Sequence, residues 1–356
     1  MPTEYDQLST TQRNTAIQRL TALWAFCESG LGGVMHALQM PFTGLVIGGL
    51  AVIIISFIAR LSNNNYNELL HSLVIVLIVK GMVSPYTPFP AYIAVSFQAL
   101  LGMVLFKLLR VNLVSILLLS VIAMLESAIQ QLLILTLFFG QSLWHAMDSM
   151  ADLVTKQLGI AAVNGSQWII GIYLLLYTIG GILIALMAHK IITGFFRAGR
   201  YPELYDGPQL NGGIQKPDIT GKGNARQKLW LMAMLLFVLS IAMFVFASNS
   251  KQGWIAVIKT LSWTLSAIMA WYLIISPLFT RCILWILKKK ESRYHEKVSA
   301  TLSFIPVLRR LTSLAWQKSN PYKGWSRWRF FFSTLIHWSL TYTELPVAGD
   351  SIKNSL

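Results

Sequence analysis

Charge is scarce in this 356-residue chain: 12% of its residues are Asp, Glu, Lys or Arg, where an ordinary soluble domain has roughly a quarter. A soluble fold needs charged side chains to cover its surface, so the deficit excludes that class. A hydrophobic share of 55% and a mean hydropathy of +0.58 point instead to a bilayer. Cysteine is also rare. Cys27 and Cys282 are the only two, far apart and within apolar stretches, which excludes a disulfide framework and a thiolate metal site. The common catalytic signatures are missing too, namely the GxxxxGK[ST] phosphate loop, the HExxH zinc helix and the GxSxG nucleophile elbow. The glycine pairs Gly32 and Gly33, Gly48 and Gly49, and Gly180 and Gly181 lie within apolar helical stretches and read as packing glycines. No cofactor, metal or catalytic residue is expected, and the chain is not expected to be an enzyme. Residues 1–20 are polar, with Arg13 and Arg19 and no small-residue cleavage site, so no secretory signal is expected.

What the chain has in abundance is apolar runs. A helix needs about 20 apolar residues to span the hydrocarbon, and such windows predict helices near 20–38, 40–60, 66–83, 90–108, 112–140, 167–196, 229–247 and 254–287. Pro41 separates the first two and Pro85, Pro88 and Pro90 the third and fourth, because proline resists a helix interior. Asn63, Asn64 and Asn65 mark a turn. The expected class is all-α: a polytopic bundle of about eight spans, six followed by two, in a bacterial inner membrane. A six-helix bundle occupies residues 1–197. Residues 198–227, rich in Gly, Pro, Asn and Lys, form a cytoplasmic linker; 228–290 a two-helix hairpin; and 291–356 a basic, Trp-rich tail.

Basic residues set the orientation. With the N terminus inside, Arg13, Arg19, Arg60, Lys107, Arg110, the segment from 190 to 228 and the whole tail fall on the cytoplasmic side, as the positive-inside rule requires. The outer loops keep Lys80 at the edge of one, Lys156 with Asp148 and Asp152 in another, and Lys251. Of 29 Lys and Arg, thirteen lie beyond residue 280, against four acidic residues there. Such a cluster beside a membrane helix suits anionic lipid at the cytoplasmic face, and nucleic acid is not expected as a partner. Arg309, Arg310, Trp325, Arg327, Trp328 and Arg329 are the expected lipid-facing residues. Helices along the inner membrane surface are predicted, with docking of the last run on the bundle as the alternative.

Ionisable groups within apolar helices are the candidate functional residues, because holding charge there costs free energy. Glu28 and His36 lie eight residues apart, about two turns, and so near one face. Together they could relay a proton or bind a polar ligand; packing hydrogen bonds are the competing reading. Gln98, Glu126 and Gln130 are further candidate ligand contacts, Glu126 and Gln130 sharing a face. Ser29 and Gly33, like Gly44 and Gly48, have the four-residue small-residue spacing that lets helices approach closely, for packing or for docking a partner. His145, Asp148 and Asp152 lack a fourth ligand at metal-site spacing and read as part of a solvated amphipathic helix.

The glycine-rich first helix, the six-helix unit of about 200 residues and the stretch PFPAYIAVSFQALLGMVLF from Pro88 to Phe106 resemble the S components of energy-coupling factor transporters. These are the substrate-binding membrane subunits for vitamins and metals. The resemblance implies a small, scarce ligand held near the outer face. It also implies docking of a separate coupling subunit and ATPase, with Ser29 and Gly33 at the contact. The second half departs from the family: a coupling subunit would carry more spans and Ala-Arg-Gly motifs, where this chain has Arg197, Ala198 and Gly199. A membrane transport component is therefore the first functional expectation. A membrane scaffold or assembly factor binding lipid or a partner through its tail is the second, and an enzyme acting on a lipid-linked substrate the third.

Overall fold

The computed structural model describes residues 10–31, 43–63, 65–84, 87, 89–157, 165–197, 262–268, 270, 271, 274 and 276–342. Every element among them is helical. In chain order these are α1 (Thr10–Phe26), continued by a π-helical turn (Cys27–Leu31), α2 (Thr43–Leu61), α3 (Asn67–Val83), α4 (Phe89–Leu109), α5 (Leu113–Phe139), α6 (Gln141–Gln157), α7 (Gly165–Arg197), α8 (Ser276–Lys318) and α9 (Gly324–Thr341).

Four of these helices, α2, α4, α5 and α7, are long and apolar enough to cross a membrane, and the chain is accordingly built as a membrane protein. Their burial differs in a way that shows how they are arranged. The apolar window of α2 is 78% buried, against 28% for α7. α2 is therefore the core helix, enclosed by α4, α5 and α7 on one side and by α1 and α3 on the other. The outer helices turn Leu108, Val114, Leu133 and Ile172 outward. An apolar surface of that kind suits hydrocarbon rather than water.

Close helix approach depends on small residues. A Cβ on Gly181 of α7 would meet the backbone of α5, 3.0 Å from Val121 Cα and 3.2 Å from Ser120 O. At the same crossing the Ser120 hydroxyl donates to Gly181 O at 2.7 Å. On α2, a Cβ at Gly48 would come within 2.9 Å of Met124 Cε and 3.1 Å of Gln98 Nε2. The start of α5 is fixed by a reciprocal cap: Ser115 N–H donates to Asn112 Oδ1 and Asn112 N–H to Ser115 Oγ.

Side-chain pairs give the helix directions on the other side of α2. Thr21 bonds Ser72 and Glu28 bonds Lys80, so α1 and α3 run the same way. Phe279 stacks on Phe89 near one end of the bundle and Tyr294 lies against His71 towards the other, so α8 runs opposite to α3. The α8 helix then continues for 24 residues, and α9 folds back along it until Arg19 of α1 donates to Leu340 O at 2.6 Å. Val307, Leu308, Leu311 and Ala315 of α8 and Phe331, Leu335 and Ile336 of α9 are buried in this hairpin.

Two boundaries differ from the sequence reading. The first helix begins at Thr10, ten residues early, because its polar first turns bury Ala16 and Ile17 within the bundle, a pattern that a hydropathy window does not register. No helix boundary falls between the second hairpin helix and the basic tail: α8 runs unbroken from Ser276 through the lysine cluster and across Pro306 to Lys318. The fifth predicted span agrees with α5 to within a residue at each end, and α6 follows as the amphipathic helix expected for His145, Asp148 and Asp152. The linker from 198 to 227 and the helix expected at 229–247 lie outside the described residues.

Candidate functional site

Among the described residues, the most buried charges lie where α1 changes its winding. At Cys27–Leu31 the helix widens into a π turn, an irregularity often found at functional positions. Glu28 sits on this turn. Its Oε2 accepts a hydrogen bond from Lys80 Nζ at 2.6 Å, and the two side chains are only 6% and 3% exposed. Lys80 lies in the last turn of α3, where the helix's partial negative end favours a cation. Its ammonium is also 5.9 Å from the centre of the Tyr92 ring on α4. Beside Glu28, the Ser29 hydroxyl is tied to Ala25 O at 2.6 Å. The result is an ion pair out of water, between two helices packed on the spanning helix α2.

Buried charges of this kind require mutual compensation. Taking two ions out of water costs several kcal/mol each, and only close, well-directed contact offsets it. Lys80 supplies that contact for Glu28, although its position in the sequence reads as the edge of an outer loop. The available signal was local. Lys80 ends the run LVIVLIV, so a helix carried through that run draws the lysine into the bundle.

Other polar atoms around α2 are buried without a hydrogen bond among the described residues: Trp24 Nε1, Gln98 Oε1 and Glu126 Oε2. Trp24 lies one turn before Glu28 on α1, close to the same face. Gln98 is 3% exposed and faces Gly48. Gln130 donates to Pro90 O at 3.0 Å, joining α5 to the first turn of α4. α4 thus touches both sets, through Tyr92 beside Lys80 and through Pro90 and Gln98 beside α5 and α2. No hydrogen bond or ion pair joins Glu28 to Gln98 or Glu126.

The remaining sequence candidates separate. Ser29 is buried on the π turn, and Gly44 faces Ser127 of α5. His36 and Gly33 lie outside the described residues. Among the described residues no three potential metal ligands cluster. Asp148 serves the fold instead, because its Oδ1 accepts from Ser166 N–H at 2.7 Å and so links α6 to the start of α7. This bond, strengthened by the Ser166 side chain and by His145, holds the Asp148 carboxyl below the usual aspartate range. In the tail, Arg309, Arg310, Trp325, Trp328 and Arg329 are exposed, whereas Trp338 is buried. Arg327 lies 4.2 Å over the Trp316 ring and donates to Asn320 Oδ1 at 2.7 Å and to Ser319 Oγ at 3.3 Å, which closes the turn of the hairpin.

Comparison with models of known protein families, with curated proteins and with solved structures finds no match for this chain.

Proposed function

We propose that this protein is a membrane transport component of a bacterial inner membrane, a subunit that binds a small polar solute within its helical bundle. The observation that carries the reading is the Glu28–Lys80 pair, held out of water on a π-helical turn beside a spanning helix. Ionisable groups at membrane depth are costly and commonly mark a solute or ion pathway. A paired carboxylate and ammonium can exchange each other for the charged ends of a ligand. In the bound state Glu28 would accept from a donor on the solute and Lys80 would donate to an acceptor, with Tyr92 beside the cation. Trp24 Nε1, one turn before Glu28, supplies an unused donor, and Gln98 Oε1 on α4 an unused acceptor.

The finer expectations belong to the same proposal. They are about eight spans with both termini cytoplasmic, the likeness of residues 1–200 to S components, and a separate coupling subunit and ATPase as motor.

The test is a thermal-shift screen of the detergent-purified chain against vitamins, nucleobases and divalent metals, since a ligand that binds only the folded state raises apparent stability. It is repeated on the double variant Glu28→Gln with Lys80→Met, which removes both charges and so leaves no ion unpaired. Stabilisation by one solute, lost in the double variant while the helical circular dichroism is kept, supports the reading. A solute response that survives the double variant removes the ion pair from the site, and no response to any solute class removes the transport reading.

A further inference from the structure

The helical hairpin of α8 and α9 presents a surface that neither the membrane spans nor the Glu28–Lys80 pair accounts for. From Lys297 to Thr341 the sequence has seven Lys and Arg, Lys297 included, and no Asp or Glu. Arg309, Arg310, Lys318, Lys323 and Arg329 are exposed, and none makes an ion pair with a described residue. Four large aromatic side chains are exposed around the turn of the same hairpin: Trp316 at 39%, Tyr322 at 42%, Trp325 at 47% and Trp328 at 38%.

This surface is built rather than loose. Trp316 packs against Trp328 and Phe331, Tyr322 stacks on Phe330, and Arg327 bridges the turn to Trp316 and Asn320. The opposite face of α9 is buried through Phe331, Phe332, Leu335 and Trp338, so the exposed aromatics are held in place by a packed underside. Their position matters as much as their chemistry. Tyr294 is level with His71, near the α2–α3 turn, and Trp316 lies 22 residues further along a continuous helix, about 33 Å at the α-helical rise. Along the direction of α8, the hairpin turn therefore lies beyond the α2–α3 turn, packed against α1 and not beside the spans. A fixed cluster of Trp, Tyr and Arg at such a position has the composition of a protein-binding hot spot. Its uncompensated positive charge selects an acidic partner.

We propose that the turn of the α8–α9 hairpin is a docking site for an acidic segment of a partner protein, with Trp325 and Trp328 as apolar anchors and Lys323, Arg329, Arg309 and Arg310 as the charge-matching rim. This site is independent of the Glu28–Lys80 pair.

The experiment uses the full chain in phosphatidylcholine nanodiscs and a fluorescein-labelled peptide of alternating Glu and Leu, followed by anisotropy. Saturable binding is expected, weakening as salt rises. It should fall about 10-fold or more in Trp325→Ala and in K323E/R329E, a loss matching the removal of one hot-spot residue. Helical circular dichroism and melting should not change, because these side chains are exposed. R309E/R310E, further along α8, should show a loss in the same direction and serves as the readout if a turn variant misfolds. A peptide that fails to bind, or that binds all the variants as tightly as the parent, overturns the proposal. Displacement of the peptide by phosphatidylglycerol vesicles that recruit the nanodisc through the same residues also overturns it, because the occupant is then a bilayer.

Discussion

Lys80 Nζ donates to Glu28 Oε2 at 2.6 Å across the contact between the π turn of α1 and the last turn of α3, with both side chains more than nine-tenths buried. One hydrogen bond thus ties two parallel helices at a second level, about two turns beyond the Thr21–Ser72 bond. Between these levels α1 and α3 lie against α2, the most enclosed of the four helices able to span a membrane. The widened turn that carries Glu28 is the local irregularity in an otherwise regular α1, and the charge and the irregularity coincide.

Removing one member of this pair is expected to be far worse than removing both. Glu28→Gln leaves a buried ammonium and Lys80→Met a buried carboxylate, each costing about 3–5 kcal/mol, whereas the double variant loses only the net worth of the pair. Thermal unfolding of the four proteins in one detergent reads the cycle. Losses that simply add would show that the two groups do not compensate each other.

How much of this was legible in the sequence depends on the kind of signal. The four helices able to cross a membrane come directly from length and apolarity, and the predicted 40–60, 90–108, 112–140 and 167–196 lie close to α2, α4, α5 and α7. Glu28 stood out because a carboxylate in an apolar run is conspicuous. Lys80 did not, because near the end of a run a lysine reads as a boundary marker, and only the partner helix shows that it is enclosed. The polar first turns of α1 were illegible, and the helices of the tail were expected without their packing against α1, for a related reason. Their apolar faces are covered by each other, and a hydropathy window averages such faces with the polar ones around them.

Gly181 is expected to be the least replaceable glycine in the α5–α7 crossing. A Cβ there would sit 3.0 Å from Val121 Cα and 3.2 Å from Ser120 O, backbone atoms that cannot rotate away. Gly181→Ala should therefore cost about 1–3 kcal/mol, the usual penalty of overpacking. Gly171→Ala on the same helix meets nothing within 4 Å and should be neutral or gain up to about 1 kcal/mol from helix propensity. Paired melting curves in one detergent decide it; an equal response of the two variants would remove the steric argument.

Asp148 makes the junction of α6 and α7 sensitive to acid. The Ser166 N–H bond holds its carboxyl below the usual range, so the folded form binds a proton less readily than the unfolded chain. The stabilisation is fully present above the ordinary aspartate value of about 3.9 and is lost as pH falls through the lower folded value. Hydrogen exchange in the first turn of α7 should accelerate over that acid window in the parent, beyond its intrinsic pH dependence. Asp148→Asn keeps an oxygen acceptor but no charge, and should show weaker protection at neutral pH with no acid step. An acid step that persists in the Asn variant would assign the titration to another group.

Arg19 is expected to hold the hairpin of α8 and α9 to the rest of the molecule. Its guanidinium donates to Leu340 O at the end of α9 and lies 6.0 Å from the Phe304 ring of α8, so one side chain reaches both arms from α1. Arg19→Met keeps an apolar stem of similar reach and removes the donors, leaving Leu340 O without that bond at a cost of about 1–3 kcal/mol. That loss falls on the hairpin, because α1 retains its Thr21 and Glu28 bonds to α3. Limited proteolysis of the full chain in nanodiscs should therefore cut between residues 295 and 342 faster in the variant, while the spans stay protected by lipid. If the cleavage rate is unchanged, Arg19 is no latch, and the apolar contacts of Leu308, Leu311 and Leu335 hold the hairpin unaided.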